Sequence, residues 1–306
     1  RFARENGCDF IVALGGGSVM DASKAIGLMA ANGGDLWDYV MFGTGKKQWP
    51  KNPGLPIVAI TTTAGTGSET DGGAVITNPE TNEKTGVFGP GTYPVLAIID
   101  PELMKSVPAT FKAYQGFDAL FHSTEGYISA ARNEFSKMVA AEAIRNVARN
   151  LVTSIREPEN MEAMSSVALG SYLSGIQMAI GSCTSAHPLE HALSAYHEKL
   201  PHGAGLIMIS KAYYGHFVEQ HACDERFIKM AKLMGMEDAS RPEDFITALV
   251  KLQEDCGVAD LKMSDYGIEP AEFAGMVQNA RDTLGPNFLN DPCQLSDEDC
   301  VNIYQK

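Results

Sequence analysis

The chain has 306 residues, of which 44% are hydrophobic and 20% charged, with a formal net charge of −14. This length and composition predict a globular protein of one or two domains, and the negative charge excludes nucleic acid as a partner because phosphate binding needs a basic surface. No uncharged apolar run approaches the roughly 18 residues of a membrane span. Six scattered cysteines without a CxxC pair predict reduced thiols and a cytoplasmic protein.

Three continuous apolar runs in the first third, at residues 10–14, 56–61 and 95–99, predict parallel strands buried on both faces. A helix follows the first run, and a loop rich in Gly, Pro and Lys spans about residues 32–55. From about residue 109 the 3.6-residue periodicity predicts helices only, as at 137–151, 163–180 and 245–255. We therefore predict a Rossmann-like α/β nucleotide-binding domain over residues 1–108 and an all-helical, metal-binding and catalytic domain over residues 109–306.

The beginning of the chain resembles the end of an element. Residues 1–7 read as the last turns of a helix closed by Gly7. Three strands are few for a doubly wound sheet. We therefore expect the α/β domain to be incomplete, with its N-terminal strands missing.

A glycine-rich turn follows the first predicted strand and opens a helix. Gly16 and Gly17 would let a phosphate approach the backbone N–H groups, and Ser18 with Asp21 forms an S-x-x-D capping pattern. Lys24, one turn further on, would either assist the phosphate or stay solvated. The turn is not GxGxxG, so a plain tight turn remains the alternative to phosphate binding.

A second turn, at residues 61–73, is dense in hydroxyls and glycines and also follows a predicted strand. It suits hydrogen bonds to a ribose or phosphate, and the alternative is a flexible surface loop. Ligands of open α/β folds bind at the carboxyl ends of the strands. Two such turns at one sheet edge indicate a nucleotide site more strongly than either turn alone.

Histidine and aspartate predict a metal site in the helical part. Asp118 and His122 are spaced i, i+4, which puts both on one face of a helix. With His187 and His202 they would supply one carboxylate and three imidazoles to Fe(II) or Zn(II), leaving room for a substrate oxygen. His191, one turn after His187, is predicted to be a neighbouring proton-transfer group rather than a ligand.

The segment HPLEH also matches the inverted zinc-peptidase motif, in which Glu190 would be the base. That motif needs both histidines on one helix, whereas Pro188 favours the first helical position and leaves His187 at or near the N-cap. A peptidase also leaves the glycine turns unexplained. The three remaining histidines are predicted to be surface or hydrogen-bonded residues: His197, His216 and His221.

Taken together, these motifs resemble the iron-containing (group III) alcohol dehydrogenase family. Six segments carry the resemblance in order over essentially the whole chain: LGGGSVMDASKAIG (14–27), TTAGTGSE (62–69), IIDPELMKSVP (98–108), GFDALFHSTEGYIS (116–129), HPLEH…LPHG (187–203) and NDPCQLSDEDCVNIY (290–304). The resemblance implies a metal-dependent oxidoreductase that transfers a hydride between a nicotinamide cofactor and a primary alcohol or aldehyde.

The resemblance also implies roles for individual residues. The metal, Fe(II) with Zn(II) as the alternative, would be held by Asp118, His122, His187 and His202. NAD or NADP would contact Gly16, Gly17, Ser18, Asp21, Thr62, Thr63, Thr66, Lys84 and Leu103. The catalytic residues would be His191, beside the metal ligands, and Asp21, near the nicotinamide. Members of the family carry a further N-terminal segment whose acidic residue biases NAD against NADP.

Three alternatives remain at this point. One is a glycerol-dehydrogenase-like polyol oxidoreductase that uses zinc, and another is a dehydroquinate-synthase-like lyase. The third is a truncated chain that binds metal without being catalytically competent. The expected partners are a small alcohol or aldehyde and further copies of the chain, in a dimer or larger homo-oligomer, with no nucleic acid and no membrane.

Overall fold

A computed structural model describes all residues, 1–306. The first third contains two short sheets and two helices. Its elements are α1 (Phe2–Glu5), β1 (Ile11–Gly15), α2 (Gly17–Asn32), β2 (Ile57–Thr61), β3 (Ala74–Asn78), β4 (Glu83–Val87) and β5 (Leu96–Ile99). Strands β1, β2 and β5 form a parallel sheet in the order β1-β2-β5, with Ile11 opposite Ile57 and Val58 opposite Leu96.

The rest of the chain is helical, as predicted. The helices are α3 (Ala109–Ile128), α4 (Glu134–Arg156), α5 (Met161–Gly181), α6 (Ala186–Tyr196), α7 (His202–Glu219), α8 (Asp224–Leu233), α9 (Glu243–Asp255), α10 (Phe273–Leu284) and α11 (Asp297–Gln305). The helices predicted at 137–151, 163–180 and 245–255 lie inside α4, α5 and α9. None of the helices combines the length and the apolar character that crossing a bilayer requires.

The parallel sheet is covered on one face only, so the prediction of strands buried on both faces is wrong. On the covered face Ala13 and Ala59 pack against Met20 of α2. On the other face four side chains are 40–58% exposed: Val12, Leu14, Leu96 and Ile98. The cause is that α2 packs on one face and no other element covers the opposite one.

One local prediction also fails, and one hairpin was missed. The hairpin of β3 and β4 was not predicted, because EKTGV in β4 lacks an apolar alternation. The Ser18–Asp21 cap does not form, since α2 begins at Gly17 with Gly16 as its N-cap and without a side-chain cap. Asp21 instead accepts hydrogen bonds from Ser68 Oγ at 2.6 Å and Val75 N at 2.9 Å.

The hydrophobic core is divided unevenly. One cluster of 50 buried residues fills the helical part, and only Ala64 and Met104 join it from the first 108 residues. The α/β part has two clusters of four buried residues each. The helical part therefore contains most of the buried apolar side chains of the molecule.

Candidate metal and cofactor site

Three helices bring the predicted metal ligands together. Asp118 and His122 lie one turn apart on α3, His187 is the second residue of α6, and His202 is the first residue of α7. The first three are buried, and the His202 side chain is 25% exposed. The DxxxH spacing therefore does place a carboxylate and an imidazole side by side.

One carboxylate oxygen lies at the centre of this cluster. Asp118 Oδ1 is 3.4 Å from His122 Nδ1, 3.4 Å from His187 Nε2 and 3.4 Å from His202 Nε2. A tetrahedral ion with bonds of about 2.1 Å separates its ligands by about 3.4 Å. His122 Nδ1 is moreover buried without a hydrogen-bond partner. The donor set and its spacing therefore fit a divalent metal ion.

Neighbouring carboxylates raise the proton affinity of two imidazoles of the cluster, whereas burial lowers the pKa of the third, His122, to about 3. Burial opposes ionisation of Asp118, but His122 and His202 outweigh it and hold the pKa of Asp118 well below its usual range. Burial likewise lowers the pKa of His187, but Glu125 and Asp118 raise it to about 10. The pKa of His202 is raised as well, because Glu190 overcomes the effect of burial.

His191 is buried beside this cluster and differs from the ligands. Burial, with the nearby Lys84, lowers the pKa of His191 well below its usual range, so its imidazole is neutral. Its Nδ1 has no hydrogen-bond partner, and its ring centre lies 5.2 Å from that of His202. A neutral imidazole beside the predicted ligands can relay a proton between its two ring nitrogens.

Two buried glutamates behind the ligands were not predicted as part of the metal site. Glu125 Oε1 lies 2.5 Å from His187 Nδ1, and Glu190 Oε2 contacts His202 Nδ1. The spacing of Asp118, His122 and Glu125, at i, i+4 and i+7, could have indicated that all three share one helix face.

The contact of Glu190 with a ligand disagrees with the peptidase alternative, in which Glu190 would face a substrate as base. His187 and His191 do both lie on α6, so the argument from Pro188 against that motif is wrong; His187 is two residues after the N-cap, Ser185, and therefore near it as predicted. The remaining histidines are indeed hydrogen-bonded or paired near the surface: His197 with Glu272, His216 with Asp299, and His221 with Asp224.

The predicted cofactor residues follow the carboxyl ends of the three parallel strands. Gly16, Gly17 and Ser18 follow β1, Thr62, Thr63 and Thr66 follow β2, and Leu103 follows β5. The first two turns touch: a Cβ on Gly16 would lie 2.9 Å from Thr63 Cγ2, and one on Gly17 would lie 2.5 Å from Thr66 Cγ2. Only glycine allows this close packing, which leaves the first N–H groups of α2 at the shared sheet edge.

Lys24 is not solvated, so that reading of the sequence is wrong. Its side chain has no exposed surface, and its Nζ donates to Ser68 Oγ at 2.8 Å, Asp71 Oδ1 at 3.1 Å and Gly73 O at 2.6 Å. Burial raises the pKa of the neighbouring Asp21 to about 6, although Lys24 opposes the shift. Lys24 and Asp21 therefore fasten α2 to the threonine-rich turn.

The same turn reaches the helical part, and strand β4 reaches the metal cluster. A Cβ on Gly67 would lie 2.6 Å from Gly175 N of α5, and Thr70 Oγ1 donates to Tyr172 O at 3.0 Å. Lys84, on β4, donates to Ser194 Oγ of α6 at 2.9 Å and lies 3.4 Å from His202 Nδ1. Lys84 is thus beside the metal cluster rather than the glycine turn.

A parallel-sheet edge of nucleotide-binding type beside a buried carboxylate–histidine cluster is typical of metal-dependent enzymes that use a nucleotide cofactor. The comparison with known families is more specific. Residues 1–101 match the model described as iron-containing alcohol dehydrogenase, and residues 112–306 match the C-terminal model of the Fe-containing alcohol dehydrogenase family. The chain belongs to the iron-containing alcohol dehydrogenase family.

Individual relatives agree. The chain is 33% identical to a 1,3-propanediol dehydrogenase of Klebsiella pneumoniae, covering 100% of this chain and 77% of the relative. It is 32% identical to an NAD-dependent methanol dehydrogenase of Bacillus methanolicus, covering 91% and 72%. An archaeal Red Sea brine pool alcohol dehydrogenase superposes with a TM-score of 0.92 at 29% identity, covering 99% and 78%. The chain is accordingly a metal-dependent alcohol oxidoreductase.

Proposed function

We propose that the chain binds Fe(II) through Asp118, His122, His187 and His202 and interconverts a small primary alcohol and its aldehyde with a nicotinamide cofactor. The observation that carries this proposal is the 3.4 Å distance from one Asp118 oxygen to each of three imidazole nitrogens. Bound there, the metal supplies Lewis acidity to the substrate oxygen. The nicotinamide supplies or accepts the hydride.

The cofactor-binding part of the proposal depends on the residues at the carboxyl ends of the parallel strands. Gly16, Gly17 and Ser18 would hold the pyrophosphate with the N–H groups at the beginning of α2. The hydroxyls of Thr62, Thr63 and Thr66, with Leu103 and Asp21, would line the rest of the cleft. Lys84 would meet the cofactor on the side of the metal cluster. The relatives named NAD-dependent methanol dehydrogenase and NADH-dependent butanol dehydrogenase support NAD as the cofactor.

His191 would move the proton of the reaction. Because its imidazole is neutral and buried next to His202, it can relay the hydroxyl proton of the alcohol through its two ring nitrogens, directly or through water, and pass it back during aldehyde reduction. If His191 moves the proton without binding the metal, variants of His191 and His202 should differ in metal content. His191→Ala should keep the metal and slow turnover, whereas His202→Ala should lose the metal.

The substrate class follows from the relatives' names, which specify methanol, 1,3-propanediol and butanol. All three have a primary hydroxyl and no adjacent hydroxyl group, and this supports a short primary alcohol over the glycerol-type polyol. The six free cysteines support a reducing, cytoplasmic compartment. A homo-oligomer stays a prediction, which sedimentation analysis of the purified protein tests.

Zinc is the specific alternative to iron. Cys183 lies close enough to His122 and His187 for all three ligand atoms to fall within 4.8 Å of one another, and a sulfur neighbour favours a softer ion. Metal analysis of protein purified without oxygen distinguishes the two ions.

The test combines metal content with NADH oxidation on a short aldehyde. We expect near-stoichiometric iron and turnover in the unaltered chain, and at least a tenfold loss of metal in Asp118→Asn. His221→Ala, a surface change, is the matched control. If Asp118→Asn retains its metal, the proposed ligand set is wrong. Metal without turnover would instead favour a chain that binds metal but lacks catalytic competence.

A further inference from the structure

Two fully buried glutamates lie directly behind two of the proposed ligands. Glu125 Oε1 is 2.5 Å from His187 Nδ1, and Glu190 Oε2 is within hydrogen-bond contact of His202 Nδ1. In both histidines the opposite nitrogen, Nε2, is the atom that faces Asp118 Oδ1 at 3.4 Å. Each imidazole is thus held between a carboxylate on one side and the metal cluster on the other.

The Glu125 carboxylate cannot turn away from His187. Its second oxygen, Oε2, accepts hydrogen bonds from Thr184 N and Thr184 Oγ1, both at 3.0 Å. The Thr184 hydroxyl is itself fixed by Tyr213 OH at 2.8 Å, and this phenol lies 3.0 Å from Asp291 Oδ1. All of these groups are buried. The network leaves Oε1 as the only oxygen of Glu125 that is free for His187.

Glu190 is confined by packing and charge instead. A Cβ on Gly205 would lie 2.7 Å from Glu190 Cγ, so only glycine leaves room for the side chain where it lies. Lys84 Nζ lies 3.5 Å from Glu190 Oε2 and compensates part of the buried negative charge. The Glu190 carboxylate is therefore held against His202.

The third histidine ligand lacks this arrangement. His122 presents Nδ1, not Nε2, to Asp118, and this nitrogen makes no hydrogen bond. The two glutamates consequently act on His187 and His202 and leave His122 untouched.

We propose that Glu125 and Glu190 are positioning residues that set the affinity of the metal site. A carboxylate only accepts hydrogen bonds, so each glutamate keeps the proton of the neutral imidazole on Nδ1 and leaves Nε2 free to bind the ion. It also fixes the ring plane and increases the basicity of the ligating nitrogen. This inference rests on the proposed function, because it assumes that His187 and His202 are ligands.

Formal charges agree with this role. Asp118, Glu125 and Glu190 bring three negative charges into the buried site, and Lys84 brings one positive charge. With neutral histidines the remainder is two negative charges, which a divalent cation neutralises. A site without the two glutamates would hold the same cation with a net excess of positive charge at low dielectric, which is unfavourable.

The test measures metal affinity directly. Glu125→Gln and Glu190→Gln keep the size of the side chain and remove its charge. We expect each to weaken Co(II) binding by 10- to 100-fold, measured by competition with a chromophoric chelator on protein stripped of metal. Glu272→Gln is the matched control, since Glu272 pairs with His197 outside the metal cluster. Circular dichroism verifies that each variant is folded.

Asp118→Asn separates this proposal from the one on which it rests. If Asp118→Asn loses Co(II) while both glutamine variants bind it like the unaltered chain, the positioning roles are wrong and the ligand set stands. If Asp118→Asn itself keeps Co(II), the ligand set is wrong.

A second measurement needs no variant. In the zinc-loaded protein, proton–nitrogen correlation spectra of the imidazoles should place the protons of His187 and His202 on Nδ1, in slow exchange with water. Protons found on Nε2 of either ring would overturn the proposal for that histidine, even if a glutamine variant failed to fold.

Discussion

Replacing Lys24 with methionine tests how the cofactor end of the molecule is held together. The lysine side chain is fully buried and its Nζ contacts Ser68 Oγ, Asp71 Oδ1 and Gly73 O. Methionine fills similar space but leaves the Asp71 carboxylate buried without its cation. Breaking a buried ion pair from one side costs about 3–5 kcal/mol, so we expect the free energy of unfolding to fall by that amount.

Urea denaturation followed by circular dichroism measures the loss. Lys46→Met is the matched control: its ion pair with Asp38 is on the surface and the lysine side chain is 67% exposed, so the loss of stability should be much smaller than for Lys24→Met. Adding Asp71→Asn to Lys24→Met should restore part of the stability, because it removes the uncompensated charge. NADH should also bind more weakly to Lys24→Met, since α2 is no longer fastened to the threonine-rich turn. A Lys24→Met protein as stable as the Lys46→Met control would refute this reasoning.

Three further predictions concern other parts of the molecule. Gly17→Ala places a methyl group 2.5 Å from a threonine of the opposite turn, so we expect at least tenfold weaker NADH binding by fluorescence titration, with metal content unchanged. Gly205→Ala should displace Glu190 and weaken Co(II) binding, whereas Gly215→Ala on the same helix meets no atom within 4 Å and should leave it unaltered. Burial raises the pKa of Asp291 from 3.8 to about 7, so the folded state binds the extra proton and stability falls as pH rises between these values. The difference in unfolding free energy between Asp291→Asn and the unaltered chain should therefore shift in favour of the variant by at least about 1 kcal/mol from pH 5 to pH 8, as measured by urea denaturation. A difference that does not change with pH would contradict the raised pKa.

The parts of the fold that depend on local periodicity could be predicted from the sequence. Continuous apolar runs predicted the three parallel strands, and helical spacing placed Asp118 beside His122. The glycine-rich and hydroxyl-rich turns each follow a predicted strand, which predicted that both lie at one edge of the sheet. Gly17 of the first turn packs against Thr66 of the second.

The parts that depend on tertiary packing could not be predicted. An apolar run does not reveal which face of a strand is covered, and Val12 is exposed although its strand is wholly apolar. Lys24 reads as a surface lysine, because its three acceptors lie 44 to 49 residues further along the chain. The spacing of Glu125 indicates only that it shares a helix face with Asp118 and His122, and its contact with His187 is what assigns it to the metal cluster.

The uneven division of the hydrophobic core affects how readily the α/β part unfolds locally. A region whose core consists of two clusters of four buried residues unfolds locally at a lower free-energy cost than a region whose core has fifty buried residues. A nucleotide that binds only the closed form raises that opening free energy by mass action, by about 2.7 kcal/mol at a hundredfold excess over its Kd. A bound nucleotide cofactor would thus stabilise the α/β part as well as take part in the reaction, and we expect it to slow proteolysis of that part of the chain.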